Sequence, residues 1–249
     1  MRRLVPLSAV LVFAVAATFP IALETAPRRV LYLTQSMGYK HEVLPLSEKI
    51  LVEVGQKHGF AVTVSADASA ISAESLKRYF AVVFYTTGEL PMKDEQKAAL
   101  MAWIRAGHGF VGIHSATDTF YKWPEYGEMI GGYFDEHPWN TQVTMKVEDH
   151  GHPSTTHLGA TWTVADEIYQ FKNYSRRDKH VLLSLDVTSV DLTAKGVKRA
   201  DRDFANAWYK SWGSGRVFYT GLGHRPEVWQ DPAYQQHVAG GISWAMGGK

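Results

Sequence analysis

The chain has 249 residues, 45% of them hydrophobic and 20% charged, with a formal net charge of +1. That is the composition of a globular protein rather than a disordered one, and the balanced charge gives no reason to expect nucleic acid as a partner. The absence of cysteine excludes a thiol nucleophile, a disulfide framework, a thiolate metal site and a lipidated cysteine. Eight Trp and twelve Tyr provide flat aromatic surface that suits sugar rings as well as a core.

Met1-Arg2-Arg3 precedes an apolar run over residues 4–17. This is the layout of a secretory signal peptide, and the run is short for a bilayer span. Residues 1–26 are therefore set aside, with small-residue cleavage positions at Ala14-Val15-Ala16, Ala22 and Ala26. Residues 27–249 are expected to form one secreted or periplasmic domain with no membrane contact once the signal is removed. An uncleaved anchor is the alternative.

Residues 29–34 read as a buried strand and run into the polar loop 35–42. A helix follows over 43–58, with Leu46, Ile50, Leu51 and Val54 at helical spacing and Gly59 behind it. Residues 60–65 form a second strand, 73–77 a short helix and 81–85 a third strand. An amphipathic helix over 93–105 turns Leu100, Trp103 and Ile104 inward. Then comes Gly109-Phe110-Val111-Gly112-Ile113, an apolar run bounded by glycine that reads as a strand buried on both faces. This alternation predicts right-handed crossovers and a parallel sheet with helices on both faces. Gly107 and Gly109 precede a strand instead of following one, so they fail the context test for a dinucleotide loop, and no nucleotide cofactor is expected.

The second half has a different texture. Residues 121–126 are aromatic and turn-like, and 141–147 alternate as a half-exposed strand. His150, His152 and His157 surround Pro153 in what reads as a solvated turn. Residues 181–186 are another buried strand. Residues 205–212 and 216–220 flank Gly213-Ser214-Gly215 and predict a hairpin. A last helix covers about 234–245.

Three histidines fall just beyond predicted strands: His41, His114 and His224. In an open α/β sheet ligands bind beyond the carboxyl ends of the strands. Three imidazoles around one point could hold Zn with a position left open. Without metal, one could act as general base and another as acid. Asp118 and Glu167 are the carboxylate candidates. Asp118 could orient His114, protonate a leaving group or cap the next helix. Glu167 could reach the same cleft or sit as a charge on a strand edge. Ser115 lacks the flanking glycines of a nucleophile elbow. Tyr121, Trp123, Trp139 and Trp229 either line a sugar site or roof the core.

Taken together, Lys40-His41, Gly112-Ile113-His114-Ser115-Ala116-Thr117-Asp118, Gly131-Gly132-Tyr133-Phe134 with His137-Pro138, Asp166-Glu167-Ile168-Tyr169 and Gly221-Leu222-Gly223-His224 resemble the ThuA-like (trehalose-utilisation) family over about residues 29–246. The resemblance implies a flavodoxin-like, class I glutamine amidotransferase-like three-layer α/β sandwich, with a mostly parallel central sheet and additional antiparallel strands in the second half. His114 then stands where those amidotransferases carry a cysteine, and His224 with Glu227 resembles their His–Glu pair at a different spacing. Without cysteine, glutaminase chemistry by that route is closed. The family's association with disaccharide breakdown and 3-keto-glycosides implies an exported enzyme of carbohydrate catabolism, with a small saccharide as partner. Its catalytic residues would be His114, Asp118, His224 and Glu167. Substrate would be bound by His41, Tyr121, His137, Tyr169 and Trp229, and His41, His114 and His224 would be ligands if a divalent metal such as Zn is used. A non-catalytic saccharide-binding protein and a metal-dependent hydrolase of another substrate are the alternatives. Self-association into a homo-oligomer is left open.

Overall fold

The computed structural model describes residues 26–248; the segment read as a signal peptide lies outside the described residues except for Ala26. One nine-stranded mixed sheet runs through the molecule. Its first elements are β1 (Arg28–Leu33), α1 (Leu44–Lys57), β2 (Phe60–Ser65), α2 (Ala73–Leu76), β3 (Ala81–Phe84), α3 (Asp94–Arg105) and β4 (Gly109–Ile113). These follow the expected strand–helix alternation within a residue or two. The chain continues with α4 (Pro124–Ile130), β5 (Tyr133–Val147), β6 (Thr161–Lys172), β7 (His180–Leu185), β8 (Ala205–Trp212), β9 (Gly215–Thr220), α5 (Pro226–Gln230) and α6 (Pro232–Ala245).

The strand order is β2-β1-β3-β4-β9-β8-β7-β5-β6. Strands β2, β1, β3, β4 and β9 pair in parallel, and β9, β8, β7, β5 and β6 pair antiparallel. The flavodoxin-like expectation therefore holds, with the antiparallel strands in the second half of the chain. Alternate residues of each strand feed opposite layers. Val30, Tyr32, Val83 and Tyr85 pack with α1 and α6, whereas Leu31, Leu33, Val82 and Phe84 pack with α2, α3 and α4.

Three elements differ from the sequence reading. The aromatic stretch at 121–126 contains a helix start, because Pro124 occupies the first turn of α4, where its fixed φ and missing N–H cost nothing. The strand expected at 141–147 is the far end of the fifteen-residue β5, whose register shifts between Phe134 and Trp139. Pro138 cannot donate to a ladder, so its neighbourhood is irregular and hides the alternation. The 150–157 segment is a turn but not a solvated one. His152 is buried against Tyr209, Phe218 and Trp244, and His157 Nε2 lies 2.9 Å from the Ala233 carbonyl of α6. Among the described residues no helix is long and apolar enough to cross a membrane.

Candidate functional site

The carboxyl ends of β1, β4 and β9 lie close together in the sheet, which brings three distant histidines to one place. His41 follows β1, His114 follows β4 directly, and His224 follows the Gly221–Gly223 turn after β9. Their ring centroids are 4.9 Å (His41–His114), 5.2 Å (His41–His224) and 5.2 Å (His114–His224) apart. Glu167 arrives from β6 and completes the group. One nitrogen or oxygen from each of the four lies within 4.8 Å of all the others.

His114 is fully buried and sits at φ +45°, a left-handed conformation that costs a non-glycine residue about 1–2 kcal/mol. Its surroundings hold it there. Tyr219 donates its hydroxyl to the His114 carbonyl at 2.7 Å, with the Thr117 hydroxyl 3.0 Å from the same phenol. The ring is oriented by its Nδ1, 2.8 Å from the Gly221 carbonyl. A carbonyl only accepts, so Nδ1 carries a proton and Nε2 is the atom turned toward the other imidazoles.

The turn bearing His224 is tied down residue by residue. The Gly221 amide donates to the Asn206 carbonyl and the Tyr234 hydroxyl to the Leu222 carbonyl. The Gly223 carbonyl receives both Trp229 Nε1 at 2.8 Å and the Tyr85 hydroxyl at 2.9 Å. The buried Asp166 carboxylate accepts the amides of Gly223 (2.6 Å), Arg225 (3.0 Å) and, more weakly, His224 (3.4 Å). Burial pushes the Asp166 carboxyl up, against the pull of His114 and these amides. Neighbours in a strand point to opposite sides. Asp166 therefore anchors the turn while Glu167 faces the imidazoles.

Within the group, His114 Nε2 and His224 Nδ1 are 3.3 Å apart, and each is 3.4 Å from Glu167 Oε2. These spacings are long for hydrogen bonds. They match the edge of a tetrahedron of donors about 2.1 Å from one ion, which is about 3.4 Å. His41 adds a third imidazole, whose buried Nδ1 has no hydrogen-bond partner. Imidazole nitrogens with one carboxylate suit Zn and neighbouring first-row ions, so this buried His/Glu group could hold a metal. The electrostatics keep the lone pairs available: burial, with His114 and His224 nearby, lowers the His41 pKa to about 3, and burial and His114 also lower His224. Burial alone would raise Glu167, but its histidine neighbours, His114 first and then His224 and His137, outweigh burial and hold the carboxyl well below its usual range.

A cavity of about 420 Å³ opens onto this group, lined by His41, Asp118, His137, Glu167, Tyr169 and His224 among others. Tyr169 lays its ring 4.3 Å from His114, with Phe134 4.5 Å beyond it. His137 Nδ1 is 3.5 Å from Glu167 Oε1. Asp118 neither caps a helix nor touches the His114 ring by a hydrogen bond; it accepts the Tyr121 hydroxyl at 2.6 Å. Burial raises its carboxyl.

Two expectations are corrected. Trp229, expected at the substrate, is buried, stacks on Tyr85 and spends its indole N–H on the Gly223 carbonyl. It supports the His224 turn from below. Glu227, the carboxylate of the expected His–Glu pair, is exposed on α5, and Glu167 stands beside His224 instead. The sequence reading also missed Asp166 as the anchor of the turn. The available signal was a glycine-rich strand end, whose consecutive amides need an acceptor.

A flavodoxin-like α/β sheet with a buried His/Glu group at the carboxyl ends of its strands thus defines the class of protein. The chain belongs to the ThuA trehalose-utilisation family, whose model matches residues 29–245. It is similar to the crystal structure of a ThuA-like protein from Bacteroides uniformis (26% identity, TM-score 0.75, covering 92% of this chain and 95% of that one). A second ThuA-like structure, from Parabacteroides merdae, is 19% identical with TM-score 0.66, covering 88% of this chain and 90% of that one. The fold is shared with a β-galactosidase from Bacillus circulans (11% identity, TM-score 0.57), where the match covers 89% of this chain and 31% of that one. No curated protein matches the chain.

Proposed function

We propose that this chain is an exported enzyme of carbohydrate breakdown that acts on a glycoside or 3-keto-sugar, with His41, His114, Glu167 and His224 holding a divalent metal such as Zn. The observation that carries the proposal is the near-equilateral triangle of His114 Nε2, His224 Nδ1 and Glu167 Oε2 at the base of a saccharide-sized cavity. The family's link to trehalose utilisation supports a sugar as substrate. Export rests on the N-terminal sequence pattern.

When bound, the ion supplies Lewis acidity toward a substrate oxygen. His114 contributes a lone pair whose direction is fixed by its bond to Gly221. Glu167 stays ionised through the physiological range and gives the group its negative charge. Phe134 and Tyr169 give the apolar face of a sugar ring a surface to lie on. Asp118, with its carboxyl raised and its orientation set by Tyr121, is placed at the cavity wall to exchange a proton with a substrate hydroxyl. His137 stands at the same wall, beside Glu167. A carbon beside a keto group is acidic, so one base and one electrophile suffice for elimination, hydration or isomerisation.

The test is turnover of 3-keto-trehalose and 3-keto-glucosides by the purified protein, before and after chelation, and by His114→Ala. The proposal expects turnover that falls at least about a hundredfold in both cases, the scale of losing a positioned catalytic group. Equal rates for wild type and His114→Ala would remove His114 from the chemistry. Saccharide binding by calorimetry without turnover at any added metal would make the protein a non-catalytic binder.

A further inference from the structure

The cavity does not end at His224. A second lobe of about 200 Å³ continues past it, lined by Glu42, Val43, Arg225 and Pro226. Tyr39, Asn140 and His224 line both lobes. The junction is built from a defined pair. Asn140 stands opposite Glu167 in the β5–β6 ladder, and its side-chain oxygen accepts Arg225 Nε at 3.0 Å and also Nη2, which reaches the Asn140 carbonyl at 3.0 Å as well. The Arg225 amide is fixed by Asp166, so the guanidinium is held at both its root and its head.

This arrangement leaves a specific set of groups without protein partners among the described residues. With its oxygen occupied, Asn140 has only its amide hydrogens to offer, and Arg225 Nη1 has no acceptor. The Glu42 carboxylate is exposed and makes no ion pair. Two donors and one acceptor lining the same lobe match hydroxyl groups, each of which both donates and accepts. The ring faces of Phe134 and Tyr169 line the larger lobe only, whereas the smaller one sets these polar groups beside Tyr39, Val43 and Pro226. The larger lobe, about 420 Å³, lies within the ~300–1,000 Å³ typical of ligand sites, and the smaller one extends it by about 200 Å³.

We infer that the small lobe is a second subsite, and that the substrate is a sugar whose glycosidic substituent is itself polyhydroxylated, recognised by Arg225, Asn140 and Glu42. The inference rests on the glycoside reading above and adds where the second unit lies and what selects it. An alkyl or aryl substituent would leave the Arg225 and Asn140 hydrogens without acceptors once water is displaced, which costs affinity.

Calorimetry with trehalose and with methyl α-D-glucoside tests this, because the second sugar keeps the anomeric substituent position but fills one lobe. Wild type is expected to bind trehalose at least tenfold more tightly than methyl α-D-glucoside. Arg225 and Glu42 each line only the small lobe. Arg225→Ala and Glu42→Ala are both expected to lower that preference at least fivefold, with methyl α-D-glucoside affinity within twofold and the thermal midpoint unchanged. Equal wild-type affinities, or variants that weaken both ligands alike, would overturn the subsite while leaving the glycoside reading standing. Failure of folded wild type to bind either sugar would overturn the subsite and leave only the 3-keto-sugar form of the proposed function, which the turnover assay decides.

Discussion

Replacing Asp166 with alanine deprives the Gly223, His224 and Arg225 amides of their acceptor. A buried donor left without a partner costs about 1–3 kcal/mol. Two of the three bonds are well formed, at 2.6 and 3.0 Å, which gives about 2–6 kcal/mol by that scale. Relief of the buried charge and entry of water into the vacated space reduce this, so about 2–4 kcal/mol of destabilisation is expected. Asp166→Asn keeps the shape but turns an amide group toward one N–H, and roughly half the effect is expected. Urea unfolding at pH 7 measures both. The second readout is Zn affinity by competition with a chromophoric chelator, expected to fall about 10–100-fold as His224 loses its support. Stability within about 0.5 kcal/mol of wild type, the range of an ordinary surface change, together with unchanged Zn affinity, would refute the anchoring role.

Acid should destabilise the fold through His237. Its Nδ1 lies 2.9 Å from the Ser154 carbonyl, its buried Nε2 has no partner, and burial lowers its pKa to about 3. Below pH 6.5 the unfolded chain takes up a proton that the native state refuses. The contribution is therefore intact above pH 6.5 and lost as pH falls toward 3, amounting to about 2 kcal/mol at pH 5. His237→Leu should shrink the difference in unfolding free energy between pH 7 and pH 5 by that amount, and an undiminished difference would contradict this. Gly223→Ala should cost about 1–3 kcal/mol and weaken metal binding, because the residue sits at φ +124° and a Cβ there would lie 2.5 Å from the Tyr234 hydroxyl. A thermal midpoint matching wild type would sink that expectation.

The parallel half of the sheet was legible because its strands are unbroken apolar runs punctuated by glycine. The convergence of His41, His114 and His224 followed from a topological rule, since each lies just past the carboxyl end of a strand. Glu167 was legible as a candidate because it interrupts an aromatic strand. What stayed hidden depends on contacts between distant segments. Nothing local distinguishes Trp229 at a ligand from Trp229 under the Gly223 carbonyl. Asp166 reads like Glu167 until the opposing amides are known. The 150–157 turn has the polar composition of a loop, yet α6 covers it: the Pro153 carbonyl lies 2.3 Å from where a Cβ on Gly240 would stand. Helix α4 was masked by the aromatic residues around its start, Tyr121, Trp123 and Tyr126, although Pro124 was a start signal.

The central claim is that His114, His224, Glu167 and His41 hold one metal ion, and elemental analysis of purified protein tests it most directly when wild type is compared with His114→Asn. Asparagine tolerates the left-handed backbone, so this variant should keep its fold while losing the imidazole. The account predicts close to one divalent ion per chain in wild type, removable by chelator and restored by Zn, and almost none in His114→Asn at an unchanged thermal midpoint. A wild type that takes up no stoichiometric metal from any first-row divalent salt, or a variant that binds it equally well, would contradict the account.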